Sequence, residues 1–182
     1  MSNTDVCEKI LYSEETITNR CKELGMQISS DYENKEVTLI AILNGSFMFI
    51  SDLIKTITID CRVDFLQVST YGASTQSSGK FTVKKPLSLD IEGKDVIIVE
   101  DIIDTGFTLV NLLNYIKRFN PKSVKTCTLI DKPHRRTQEI NADYAGFTMS
   151  KDEFIVGYGL DYAQKYRNFP YIGILKEEMY NN

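Results

Sequence analysis

The stretch Val96-Ile97-Ile98-Val99-Glu100-Asp101-Ile102-Ile103-Asp104-Thr105-Gly106-Phe107-Thr108 decides how this chain is read. Its apolar run has strand composition and ends at two adjacent carboxylates; a third follows three residues on, and a Thr-Gly turn opens a helix. A helix leaves its first four N–H groups without intrahelical partners and carries partial positive charge at that end, so a phosphate placed there gains several donors. Thr105 and Thr108 add hydroxyls, and Gly106 admits close backbone approach. Carboxylates beside such an anion site need a task of their own: holding sugar hydroxyls, taking a proton or facing a metal ion. The mixture points to a phosphorylated sugar with a metal. The competing reading is a buried strand feeding a helix capped by Asp104 or Thr105, with the carboxylates in water. Two carboxylates at the end of a buried strand are costly without partners, which weighs against it.

Outward from this stretch the same strand-to-helix pattern repeats. Leu109, Leu112, Leu113, Ile116 and Phe119 give a helix over about 106–119, stopped by Asn120-Pro121, and residues 123–130 return as strand. Upstream, Val37 to Leu43 is a continuous apolar run suited to a strand covered on both faces. Asn44-Gly45 breaks it, and Phe47, Ile50, Ile54 and Ile57 carry a helix to about residue 57, with Ser46 as a candidate cap. Ile17, Cys21, Leu24 and Ile28 mark a first helix over 13–29 with Ser13 as its N-cap. Residues 62–69 read as a further strand, and 69–79 as a polar Ser, Thr, Gly and Gln loop around Tyr71. Strands alternating with helices predict an α/β fold: a doubly wound, mainly parallel sheet with helices on both faces, in one domain over 1–182. Ligands of such sheets bind beyond the carboxyl ends of the strands, so Asn44-Gly45, Glu100 to Thr108 and Asp131-Lys132 are expected along one edge.

Composition narrows the classes. With 182 residues, 42% hydrophobic and 25% charged, the chain can bury one good core, and a net charge of -4 argues against a nucleic-acid partner. Cys7, Cys21, Cys61 and Cys127 show no Cys-x-x-Cys spacing and, with the single His134, make no zinc motif. No signal peptide and no membrane-spanning run are present, which gives the expectation of a cytoplasmic, reduced setting and discounts the sequon Asn44-Gly45-Ser46. Neither Gly-x-Gly-x-x-Gly nor Gly-x-x-x-x-Gly-Lys-Ser/Thr occurs, so dinucleotide and P-loop readings recede.

The acidic stretch resembles the phosphoribosyl-pyrophosphate motif of the type I phosphoribosyltransferases, and Val-Glu-Asp-Ile-Ile-Asp-Thr-Gly is most similar to the hypoxanthine or hypoxanthine-guanine members. A second stretch, Phe154-Ile155-Val156-Gly157-Tyr158-Gly159-Leu160-Asp161-Tyr162, matches as well, and the likeness runs from about residue 10 to 176. The resemblance implies purine salvage: transfer of 5-phosphoribose from phosphoribosyl pyrophosphate to hypoxanthine, or guanine, with Mg2+ as cofactor. It implies that Thr105, Gly106, Phe107 and Thr108 receive the 5′-phosphate, although relatives often carry a polar or basic residue at 107. Glu100 and Asp101 are implied to hold ribose hydroxyls near the metal, which Asp161 also faces, and Asp104 to take the purine N7 proton. Asn44 and Gly45 fall in the pyrophosphate loop, where relatives often have a cis peptide after the position of Leu43 and Lys or Arg at 44. Arg167 is implied to meet pyrophosphate, Lys132 the exocyclic oxygen, Phe154 the purine face and backbone at Ile155 the base edge. Thr70 and Tyr71 lie in an implied catalytic lid over about 69–80, and the N-terminal segment with about 131–176 in a small base-binding hood. A homodimer or homotetramer without nucleic-acid or membrane partners is implied. The rival functions are transfer to another base such as xanthine, and a non-catalytic nucleotide sensor. Taken without the resemblance, Lys132 would be a solvated charge in the run Asp131 to Arg136 and Phe154 a core strand residue, and His134 reads as a surface residue.

Overall fold

The computed structural model describes residues 6–71 and 80–180, with the side chains of residues 70, 71 and 80 left aside. The elements run β1 (Cys7–Tyr12), α1 (Glu14–Asp31), β2 (Val37–Leu43), α2 (Phe47–Ile54), β3 (Cys61–Tyr71), β4 (Lys80–Lys85), β5 (Asp95–Ile103), α3 (Phe107–Lys117), β6 (Ser123–Asp131), β7 (Tyr144–Thr148), β8 (Ile155–Val156) and β9 (Ile172–Leu175), with 3-10 turns at Pro133–Arg135 and Glu177–Met179. The main sheet has the order β4-β3-β2-β5-β6-β7, parallel throughout except for β4. A smaller antiparallel sheet, β1-β9-β8, joins the two ends of the chain.

Alternation along the central strands sends side chains to two cores. Val37, Leu39, Ala41, Ile97 and Val99 pack with α1 and α2 through Ile17, Leu24, Ile28, Phe49 and Leu53. Ile40, Ile42, Val96 and Ile98 face α3 through Leu109, Leu112 and Ile116. Helices therefore cover both faces, as a buried parallel sheet requires. Ser13 caps α1 by accepting from the Thr16 N–H at 3.2 Å.

Several element ends differ from the sequence expectation. Strand β5 does not stop at Glu100: its parallel ladder with β6 continues through Glu100↔Thr128, Ile102↔Ile130 and Ile103↔Asp131, so the acidic pair lies inside the strand. Helix α2 ends at Ile54, short of 57, where the Thr56 hydroxyl takes the Leu53 carbonyl at 2.7 Å and the Cys21 carbonyl of α1 at 3.1 Å. Ser46 occupies the N-cap position of α2 without capping it, because its buried hydroxyl donates to the Ile42 carbonyl at 2.7 Å. The cap of α3 is neither Asp104 nor Thr105 but Gly106, at φ 84°, a left-handed conformation that L side chains seldom adopt. Strands β3 and β4 form a hairpin base, with Thr70 opposite Phe81 and Tyr71 opposite Lys80. Residues 72–79, the bulk of the expected lid, lie outside the described residues.

Candidate active site

Two cavities, about 470 and 400 Å³, adjoin at the carboxyl ends of β2, β5 and β6. They share the walls formed by Asp101, Ile102, Asp104 and Asp161. The first also has Lys132, Phe154, Ile155 and Leu160 on its walls; the second has Asn44, Gly45, Glu100, Thr105, Gly106, Thr108 and Arg167. Sequence-distant candidates thus converge on one sheet edge, with Asp104 at the junction.

The second cavity is built on backbone. The peptide Leu43-Asn44 is cis, as the resemblance implied, and the Asn44 side-chain oxygen accepts from Gln67 Nε2 at 3.2 Å. Gly45 presents a bare Cα to the acidic pair: a Cβ there would stand 1.5 Å from Asp101 Oδ2. The Gly45 carbonyl in turn lies against Gly159, where a Cβ would come within 2.0 Å of it. Two glycines let the 43–46 loop, β5 and the 157–161 turn meet at backbone distance. At the start of α3 the N–H of Phe107 reaches the Thr105 hydroxyl at 3.4 Å, and no side chain caps the helix. Its terminal N–H groups are the donors an anion would meet. Phe107 itself does not line either cavity.

Burial dominates the electrostatics of the acidic pair. It pushes the Glu100 carboxyl well above the usual carboxylate range, and the Asp101 charge adds to the effect. Burial likewise raises Asp101 to about 6, partly offset by the Ile102 N–H and Arg167 and reinforced by Asp161. Among the described residues nothing donates a hydrogen bond or an ion pair to the Glu100 carboxylate, although the residue is only 6% exposed. Asp161 forms an ion pair with Arg167 at 2.7 Å and accepts from the Gln164 N–H at 2.8 Å. Arg167 also donates to the Gly159 carbonyl at 2.6 Å, which ties it to the turn against Gly45. Among the described residues no three acidic, histidine or cysteine groups cluster closely enough to hold a metal by themselves. Buried carboxylates short of positive partners nevertheless fit Mg2+, which is bound through one or two carboxylates, waters and substrate oxygens rather than a closed protein cage.

The first cavity has a different make-up. Lys132 is not a solvated charge: it is 6% exposed, donates to the Glu153 carbonyl at 2.7 Å and lies 3.7 Å from Asp152. Phe154 is not a core strand residue: it is 39% exposed, immediately before β8. Its ring stacks on Tyr180 with centroids 5.0 Å apart and meets the Tyr162 ring edge-on at 5.6 Å. His134 is exposed, with Nδ1 3.1 Å from the Met149 carbonyl.

Comparison with known proteins agrees with this geometry. Residues 9–163 match the phosphoribosyl transferase domain family. The chain belongs to the phosphoribosyltransferases. A hypoxanthine-guanine phosphoribosyltransferase of Streptococcus pneumoniae is 49% identical over 175 residues, covering 96% of this chain and 97% of that protein. A crystal structure of a hypoxanthine phosphoribosyltransferase from Staphylococcus aureus superposes with a TM-score of 0.94 at 46% identity, over 98% of this chain and 97% of that one. The hypoxanthine phosphoribosyltransferase of Trypanosoma cruzi gives 0.91 at 37% identity, over 97% and 95%.

This phosphoribosyltransferase also carries site residues that sequence reading passed over. Arg135 stood in a run of charges read as solvated, yet its Nε donates to Asp104 Oδ1 at 3.1 Å. Asp152 pairs with Arg135, and Leu160 and Tyr180 line the first cavity. Only Leu160, next to Asp161 in a matched stretch, carried a signal by its position. Among the described residues no helix is long and apolar enough to cross a membrane.

Proposed function

We propose that the chain transfers the 5-phosphoribosyl group of phosphoribosyl pyrophosphate to hypoxanthine or guanine, yielding the nucleoside monophosphate and pyrophosphate. The observation that carries the reading is the meeting of an amide-lined anion cradle and a lysine-aromatic cavity at one carboxylate, Asp104. The α3 N-terminus, with Thr105, Gly106 and Thr108, receives the 5′-phosphate, and Glu100 and Asp101 orient the ribose hydroxyls. Asn44, Gly45 and Arg167 line the pyrophosphate side. The base lies on Phe154, with backbone at Ile155 along its edge and its 6-oxo group on Lys132, whose ammonium keeps donors beyond the one given to Glu153.

The reacting ring nitrogen attacks C1 of the ribose as the bond from C1 to the pyrophosphate oxygen breaks. Asp104 accepts the N7 proton, so positive charge does not accumulate on the purine. Lys132 favours 6-oxopurines, because adenine would set an amino group against an ammonium. Glu100, Asp101 and Asp161 are the residues that would hold Mg2+, which when bound neutralises charge on the pyrophosphate. Thr70 and Tyr71, at the end of β3, are assigned to closure over this centre, which keeps water from the activated sugar. Four free thiols fit a reducing, cytoplasmic location.

A nucleotide sensor has no use for a proton acceptor at the junction of the cavities, and this disfavours it. The test is pyrophosphate release with hypoxanthine, guanine, xanthine and adenine in turn, in wild type and Asp104→Asn. Turnover is expected with the first two bases, and the variant should fold normally while losing about a hundred- to ten-thousand-fold in kcat. Tight nucleotide binding without product from any purine would overturn the reading.

A further inference from the structure

We propose that Arg135 is a positioning residue that sets the proton acceptor Asp104 and the base-binding Lys132 together, through Asp152; this rests on the reaction assigned above. Arg135 closes the 3-10 turn Pro133–Arg135, its N–H bonding the Lys132 carbonyl at 3.0 Å, so its backbone is fixed to the residue it serves. Its guanidinium spans two carboxylates: Nε donates to Asp104 Oδ1 at 3.1 Å and Nη1 to Asp152 Oδ2 at 2.9 Å. The other oxygen of Asp152 lies 3.7 Å from Lys132 Nζ, and Lys132 donates to the carbonyl of the next residue, Glu153. Two cations and two carboxylates therefore form one chain along the cavity wall, with charges that cancel.

Each link has a chemical consequence. Engaging Oδ1 of Asp104 turns that carboxylate about a fixed axis and leaves Oδ2 for the ring N–H. Engaging Asp152 keeps a carboxylate from drawing Lys132 away from the 6-oxo group. Without Arg135 the balance breaks: Asp152 loses its partner, and it already lies 3.7 Å from the Lys132 ammonium. The neighbouring Arg136 does a separate task. It donates to the Ile103 carbonyl at 2.7 Å and to the Asp104 carbonyl at 2.5 Å and pairs with Asp131, holding backbone while Arg135 holds side chains. Arg135, Asp104 and Asp152 are all substantially exposed, at 44%, 43% and 54%, so the pairs contribute little to folding and their loss acts on geometry.

The experiment measures steady-state kinetics for base and phosphoribosyl pyrophosphate in wild type, Arg135→Gln, Arg135→Lys and the double variant Arg135→Gln/Asp152→Asn. Loss of a charge-assisted fork predicts kcat down and base KM up, each by about tenfold, in Arg135→Gln. The KM for phosphoribosyl pyrophosphate should stay within about twofold, and Tm within about 4 °C. Arg135→Lys keeps the charge but not the fork, so base KM should return while kcat stays low. The double variant frees Lys132 from Asp152 and should likewise restore base KM but not kcat. Wild-type constants in Arg135→Gln, parallel rises in both KM values, or a double variant with base KM as high as the single one would each overturn the inference. If wild type itself made no nucleotide from any 6-oxopurine, the functional reading would fail instead.

Discussion

The cradle and the base cavity adjoin at Asp104 but are assembled in opposite ways. On the cradle side the groups come chiefly from two short stretches, 43–46 and 100–108, each a strand end running into a helix, and the work is done by backbone N–H groups and bare glycine Cα atoms. On the base side Lys132, Phe154 and Tyr180 come from a strand end, a coil and the last turn, steadied by the small β1-β9-β8 sheet. A cradle of backbone tolerates almost no added atom, whereas a wall of side chains can lose one and keep its outline. The two should therefore respond to substitution differently in size and in which substrate they affect.

Gly45→Ala is the sharpest way to break this contrast. Its Cβ would stand 1.5 Å from Asp101 Oδ2, so the loop or the acidic pair must move. A displacement of about 1 Å near the reacting atoms can cost on the order of a hundredfold, and that loss is expected in kcat/KM for phosphoribosyl pyrophosphate with a near-native circular dichroism spectrum. A variant with wild-type kinetics would show that the cradle yields as readily as the wall. Phe154→Ala probes the other side: losing one stacking face predicts a rise of about tenfold in base KM, with the KM for phosphoribosyl pyrophosphate little changed. Equal rises for both substrates would erase the division of labour.

The smallest expected kinetic effect is at Asp64, a buried residue of β3 that lines neither cavity. Burial opposes its charge, but the N–H groups of Leu89, Phe65 and Ser88, with Lys85, outweigh burial and hold the carboxyl below its ordinary value. A carboxyl lowered by folding adds stability above its unfolded pKa, about 3.9, and that stability is lost as pH falls through the folded value. Asp64→Asn should therefore cost about 2 kcal/mol at neutral pH in urea unfolding, with the gap to wild type closing below about pH 4. Its kcat should be unchanged; a large kinetic effect would mean that the scaffold and the cradle are coupled.

Legibility divides along the same line. The strands at 37–43 and 123–131, the Ser13 cap and the Thr-Gly opening of α3 could be read because each rests on residues within a turn or two of one another. The run of β5 past Glu100 could not, since pairing with β6 extends it through residues that look like a strand end. Nor could the cap at Gly106, because Asp104 and Thr105 have the composition of caps and only the backbone shows which residue turns. Lys132 was singled out by resemblance and proves to be buried on a cavity wall, while its chemically similar neighbour Arg135 went unremarked in the charged run and proves to reach Asp104.

By itself, then, the sequence determined the three helices with the central strands β2, β3, β5 and β6, the two-sided core and the amide-rich turn, but not the outer strands β1, β4, β7, β8 and β9, because periodicity and turn chemistry act over a few residues. Tertiary structure alone decided that Gly45 would pack between Asp101 and Gly159, that Tyr180 would stack on Phe154, and that Arg135 would bridge Asp104 to Asp152. Those contacts join residues far apart in the chain, and short-range forces that shape a helix or strand carry no information about which distant side chain will arrive beside another.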